Sequence, residues 1–261
     1  MKLTYTQKQH FYDHGFLQIS GIVPRVMVDA VLGAINHSVG QGMPPDEMVT
    51  MRAQTFCREI TRTPVISDLF NATPAKPLAE SMLGTGNLNP VGGGQIALRF
   101  PGLQDPPPEP RPHLDGMYTP TNGVPQGTIG NFTMLVAVLL SDLTCDYAGN
   151  FTVWPGTHHA YERYFRKHGP ESLLNGMPPI TLPPARQIRG QAGDIVFAHY
   201  ELAHAAAANV SPHVRYAIFF RLKHVDHDSD PKKRMSDIWL DWPGMDEVRQ
   251  KEKGKRKRRE A

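Results

Sequence analysis

Hydrophobic positions fall into two textures along this chain. In the first third they repeat with a helical period: Val28, Val31, Leu32 and Ile35 stand at i, i+3, i+4 and i+7 and form one apolar face. Pro24 can open that helix, because its missing N–H is not needed in a first turn. A short helix is predicted over residues 5–14, a strand at Gly15-Phe16-Leu17-Gln18-Ile19, and weaker helical patterns through 65–84. From about residue 91 short apolar runs alternate with Gly/Pro turns, the texture of a β-sandwich or barrel. Strands are predicted near 94–100, 131–141, 150–154, 187–190, 194–200 and 214–222. The run 131–141 is apolar on both parities, which predicts a strand covered on both faces. Residues 101–112 hold six prolines and cannot form a central strand. Residues 159–186 read as a long insertion with helical turns, a lid or binding loop, and 231–248, with Trp239 and Trp242, as a segment that docks as a short helix.

A length of 261 residues with 40% apolar content allows one large core. No window approaches the ~18 unbroken apolar residues of a membrane span. The first ten residues are polar, and the C-terminal Arg259-Glu260-Ala261 is not a peroxisomal tripeptide. A cytoplasmic location is therefore expected, with Cys57 and Cys145 as reduced thiols. The formal charge of +3 comes from the end of the chain. Residues 249–261 carry eight basic and two acidic residues, leaving 20 basic against 23 acidic elsewhere. That run reads as a solvated, disordered tail, with a polyanion contact as the minority reading. The expected partner is a small molecule rather than a nucleic acid or a membrane; monomer and homodimer both remain open.

The sharpest chemical signal is His113-Leu114-Asp115, directly after the proline-rich loop. On an extended segment an H-x-D triplet puts an imidazole and a carboxylate on the same side. A third ligand from a distant strand would complete the facial triad typical of iron(II) oxygenases, which leaves coordination positions open for substrates. By itself the triplet is weak, since it recurs by chance. Three other features stand with it: Val153-Trp154-Pro155-Gly156-Thr157-His158 preceded by Gly149-Asn150, Gly193-Asp194-Ile195-Val196-Phe197, and His204 eleven residues before Arg215. Arg215 lies on an apolar strand, where an unpaired charge is costly and an anionic ligand is the natural partner.

Together these features resemble the phytanoyl-CoA dioxygenase family of iron(II)/2-oxoglutarate oxygenases, from roughly residue 8 to 223. Phe11-Tyr12-Asp13-His14-Gly15-Phe16-Leu17 resembles the family's entry motif, and residues 141–158 resemble its Asn-Gly stretch, with the order inverted at Gly149-Asn150. The resemblance implies a mainly β fold with flanking helices around a double-stranded β-helix, a jelly-roll or cupin-like core at about 91–223. The implied domain is 1–248, with 249–261 as the tail. It implies iron(II) held by His113, Asp115 and His204, with 2-oxoglutarate and O₂ as co-substrates and Arg215 on the far carboxylate of 2-oxoglutarate. Gln95 and Arg99 are further candidates for 2-oxoglutarate contacts, since Gln95–Gly102 resembles the strand before H-x-D in ectoine-hydroxylase-like members; Thr133 and Trp154 are softer candidates. Retention of Asp115 points away from the halogenating members, in which a small residue replaces it, and toward hydroxylation or a related oxidation of a small organic metabolite. The alternatives are an oxygenase acting on a macromolecule through the basic tail and a metal-binding jelly roll without turnover.

The other histidines have structural readings: His199 as a core or rim residue, His158 and His159 as part of a turn, His213 in a loop, His224 and His227 as solvated. Tyr118 is equally suited to a surface loop and to covering the iron. Arg221 shares the parity of Arg215 and is expected to pair with an acid at the rim. Arg163, Arg166 and Lys167 on the lid candidate could meet an acidic substrate.

Overall fold

In the computed structural model, which describes residues 1–260 and the side chains of 1–255, helix α1 (Tyr5–His14) opens the fold. A reciprocal capping box between Thr4 and Gln7 starts it, and Gly15, at φ 78°, ends it in a left-handed cap. A side chain at 15 would meet the His158 ring at 2.6 Å, so glycine serves both the cap and the packing. Strand β1 (Phe16–Ile19) follows, then the helices α2 (Arg25–Gly40), α3 (Met48–Ala53), α4 (Pro64–Asn71) and α5 (Ala75–Leu83). The predicted stripe of α2 is the one that buries, with Val28, Val31 and Ile35 fully enclosed.

The β region contains β2 (Gln95–Arg99), β3 (Met134–Leu139), β4 (Phe151–Val153), β5 (Arg186–Gln187), β6 (Ile195–His199), β7 (His204–Ala206) and β8 (Arg215–Leu222). Five strands form an antiparallel sheet in the order β1-β6-β3-β8-β2, and three form a smaller one, β5-β4-β7. This is a jelly roll flanked by helices. Side-chain parity sorts the layers. Met134, Val136 and Val138 of β3 pack with Ile218 and Phe220 of β8 in the cluster that includes the helices. Leu135 and Ala137 face the other way, into the space between the sheets. All six residues of β3 are buried, as its two-sided apolar pattern predicts.

Helix α6 (Thr157–His168) corrects one expectation. Within the segment read as a lid, Tyr161, Phe165 and Leu173 are buried in the inter-sheet core, and α6 packs against α7 (Lys233–Ser236). No residue of 159–186 lines the main cavity. Arg166 pairs with Glu162 in its own helix. The segment around Trp239 and Trp242 docks on α1, where both rings meet Phe11. The basic run, read as a disordered tail, instead continues as helix α8 (Asp246–Glu260). No helix among the described residues is long and apolar enough to cross a membrane.

Candidate active site

His113 and His204 are 91 positions apart, yet a β-bridge sets them side by side. Each backbone N–H donates to the other's carbonyl, at 3.0 and 3.1 Å. Asp115, two residues on from His113, turns its Oδ1 to 3.5 Å from both Nε2 atoms. The three potential ligand atoms lie within 4.8 Å of one another, and no other group of three such side chains among the described residues does so. That is the spacing a single metal ion requires.

The surrounding bonds fix the donor atoms. His204 Nδ1–H donates to the Leu202 carbonyl at 2.9 Å, which leaves the Nε2 lone pair facing the cluster. Burial, then the neighbouring His204, lowers the pKa of His113 and favours a neutral ring with a free lone pair. Burial alone would raise the Asp115 carboxyl. The Arg221 charge, aided by the two histidine rings beside Oδ1, outweighs it and holds the group well below the usual carboxylate range. Arg221 grips Asp115 Oδ2 through Nε and Nη2, both at 2.9 Å, which aims Oδ1 at the histidines. The acid expected to pair with Arg221 is thus Asp115 itself. Six residues on from Arg215 in β8, Arg221 faces the same side, and that parity is the signal for it.

These groups open on a cavity of about 730 Å³ between the sheets. Its walls include Leu135, Phe151 and Phe219, with the end of α3 and the loop 116–124 at its margin. Arg215 is 3% exposed. It donates to the Gly149 carbonyl at 2.8 Å and to the Ala97 carbonyl at 3.0 Å, but meets no carboxylate among the described residues. Burial, then the charge of Arg99, pulls its pKa down to about 9. Gly149 adopts φ 76°; a Cβ there would lie 2.9 Å from the Arg99 Cβ and 3.0 Å from the Arg215 Cβ. Asn150 fastens the same turn through the Cys145 and Ile188 carbonyls, which accounts for the Gly149-Asn150 pair.

Gln95 and Arg99 line the cavity, on the same face of β2; Gln95 accepts a 2.8 Å bond from Arg221. Thr133 and Trp154 do not line it. The Thr133 hydroxyl points away, donating to Asp241 Oδ2 at 3.1 Å and standing 3.1 Å from His227 Nδ1, while Trp154 is packed in the inter-sheet core. Tyr118 is exposed and also lies outside the lining. His224 and His227, read as solvated, are buried; Asp241 lies 2.8 Å from His227 Nδ1. His199 is a core histidine, stacked on Trp242 and donating to the Ile238 carbonyl. His158 bonds the Tyr12 carbonyl. Asp194 closes the corner between β1 and β6, accepting from Gly21 and Gln191 backbone N–H groups.

A profile of the phytanoyl-CoA dioxygenase (PhyH) family matches residues 11–217. No curated protein sequence matches the chain. Among solved structures, HygX from Streptomyces hygroscopicus, with nickel and 2-oxoglutarate bound, superposes with a TM-score of 0.56 at 17% identity, covering 85% of this chain and 87% of that one. EctD from S. alaskensis, with 2-oxoglutarate and 5-hydroxyectoine, gives 0.56 at 15% identity over 86% and 77%. SnoK, a non-haem α-ketoglutarate-dependent carbocyclase from nogalamycin biosynthesis, gives 0.54 at 16% over 84% and 83%. At these identities the likeness is one of fold.

Proposed function

The chain belongs to the phytanoyl-CoA dioxygenase family of iron(II)- and 2-oxoglutarate-dependent oxygenases, and from that premise we propose that it hydroxylates, or otherwise oxidises at carbon, a small organic metabolite in the cavity between its sheets. His113, Asp115 and His204 are the proposed iron ligands. Arg215 is the proposed anchor for the far carboxylate of 2-oxoglutarate. The observation that carries the reading is the pairing, in one cavity, of a three-donor cluster with a buried arginine that has no acidic partner among the described residues.

The donor set fits iron(II): two imidazoles and one carboxylate, with the rest of the coordination sphere left to substrates. Iron bound there supplies the oxidising chemistry, in which 2-oxoglutarate and O₂ give succinate and CO₂ as the substrate is oxidised. The chain's own residues supply position. The Leu202 carbonyl fixes the His204 tautomer, and Arg221 keeps Asp115 ionised and oriented. Arg215 offers its guanidinium to a carboxylate in a pocket where water competes weakly. Leu135, Phe151 and Phe219 give the cavity an apolar wall. Rigid mounting matters here, because a misplacement of ~1 Å can cost ~100-fold in rate.

Support for a small substrate comes from a cavity whose volume of about 730 Å³ falls within the ~300–1,000 Å³ range typical of ligand sites. Among the similar structures, EctD holds 5-hydroxyectoine and SnoK comes from nogalamycin biosynthesis, both small-molecule settings. The test is anaerobic titration with iron(II) and 2-oxoglutarate, following the weak visible charge-transfer band of the chelate. Wild type is expected to show the band and His204→Ala to lack it, after which succinate release reports candidate substrates. A folded, iron-loaded wild type without a band would remove the 2-oxoglutarate reading.

A further inference from the structure

Three arginines line the cavity besides Arg221. Arg215 is buried at its base, Arg99 is half-buried, and Arg52 is exposed near the end of α3. Arg99 and Arg215 are direct cross-strand partners in the β2–β8 ladder. Like charges placed opposite each other destabilise a sheet, and only the backbone of Gly149 fits against both side chains. Arg52 is the next charge acting on Arg99. None of the three forms an ion pair among the described residues. Among the described residues Asp115 is the sole acid lining the cavity, and its Oδ2 is already held by Arg221.

Iron(II) and the dianion of 2-oxoglutarate cancel in charge. Four arginines would still face one aspartate, and 2-oxoglutarate has one far carboxylate to give, which Arg215 takes. The five-carbon co-substrate also leaves much of the 730 Å³ cavity free. We propose that Arg99 and Arg52 form a second anion subsite, and that the molecule oxidised here carries a carboxylate or phosphate group seated on it; this rests on the 2-oxoglutarate reading of Arg215. The chain beside Arg52 is anchored at one point. Gln54, two residues after Arg52, donates to the Thr121 carbonyl at 2.8 Å, tying the end of α3 to the loop at the cavity margin. A cationic mouth with low-dielectric walls also gathers anions before they dock.

The test uses the full-length protein loaded with Mn(II) under anaerobic conditions, so that no turnover occurs, and saturated with 2-oxoglutarate. Inorganic phosphate and glutarate are titrated in by calorimetry at constant ionic strength. Wild type is expected to bind at least one of them saturably. Arg52→Gln and Arg99→Gln are each expected to weaken that binding tenfold or more, with the 2-oxoglutarate Kd of Arg52→Gln staying within about twofold of wild type. Circular dichroism checks that both variants fold. Absence of saturable binding by the wild-type complex, or equal affinity in the variants, overturns the subsite. So does an Arg99→Gln variant that loses 2-oxoglutarate as fully as an Arg215 variant while phosphate binding persists. Failure of 2-oxoglutarate to bind the Mn(II)-loaded wild type is a separate result, which overturns the premise and the subsite with it.

Discussion

Replacing Arg215 by Met separates the energy of folding from the energy of binding. The guanidinium is 3% exposed, and burial, followed by the Arg99 charge, pulls its pKa from 12.5 to about 9. At ~1.4 kcal/mol per pKa unit, keeping the cation there costs about 5 kcal/mol. The bonds to the Gly149 and Ala97 carbonyls return roughly 1.5–3 kcal/mol each, the range for a charged donor. The terms nearly cancel, so without 2-oxoglutarate the variant should lie within about 2 kcal/mol of wild type in urea unfolding. Binding has no such cancellation. Removing one partner of a buried charge pair costs at least ~2–5 kcal/mol, or roughly 30- to 5,000-fold in Kd. At 2-oxoglutarate equal to about 100 times the wild-type Kd, ligand linkage should stabilise the Mn(II)-loaded wild type by ~2.7 kcal/mol. The variant should gain ~1 kcal/mol at most. The reasoning fails if Arg215→Met is destabilised by more than about 4 kcal/mol, which would make the arginine structural, or if it keeps the full ligand-induced gain.

Arg221→Gln should lower metal affinity about 10- to 100-fold while leaving the fold intact, since it frees Asp115 to turn; equilibrium dialysis with Mn(II) measures this. Gly149→Ala puts a Cβ against both Arg99 and Arg215 at φ 76°, and should cost at least about 1–2 kcal/mol in unfolding experiments and weaken 2-oxoglutarate binding as well. His199, buried against Trp239 and Trp242 with His158 and His159 nearby, has its pKa lowered from 6.5 to about 3 by burial. The unfolded chain therefore binds the extra proton, and stability falls as pH drops below 6.5 toward 3. Between pH 8 and pH 5 His199 alone should remove about 2 kcal/mol, and His199→Gln should flatten the pH dependence of urea unfolding by about that much. An unchanged slope would show that the ring is not held neutral.

What was legible in the sequence follows from how local each signal is. The β3 run announces its central position because both its parities are apolar, and α2 announces its buried face by spacing. H-x-D reads clearly because two donors share one extended segment. Strand β7, three residues long and rich in alanine, has no propensity signal of its own; its place is set by the bridge to His113. The lid expectation for 159–186 failed because polar residues conceal a tight apolar stripe of Tyr161 and Phe165. Thr133 misled because it sits one residue before β3, where the chain bends toward the buried Asp241 and His227 rather than into the cavity. Arg52 was out of reach, since nothing in the pattern of α3 says which helix end meets the barrel mouth.

The bridge between residues 113 and 204 also bears on the order of folding. The two histidines meet only when a loop of some ninety residues has closed, and the loss of chain entropy on such closure comes before any metal–ligand bond can repay it. In a zinc finger, by contrast, closely spaced ligands let the ion organise an otherwise unfolded chain. Here the iron would arrive at a finished scaffold, so the apoprotein should reach its native sheet pairing unaided, and exchanging one divalent ion for another should leave its refolding rate unchanged.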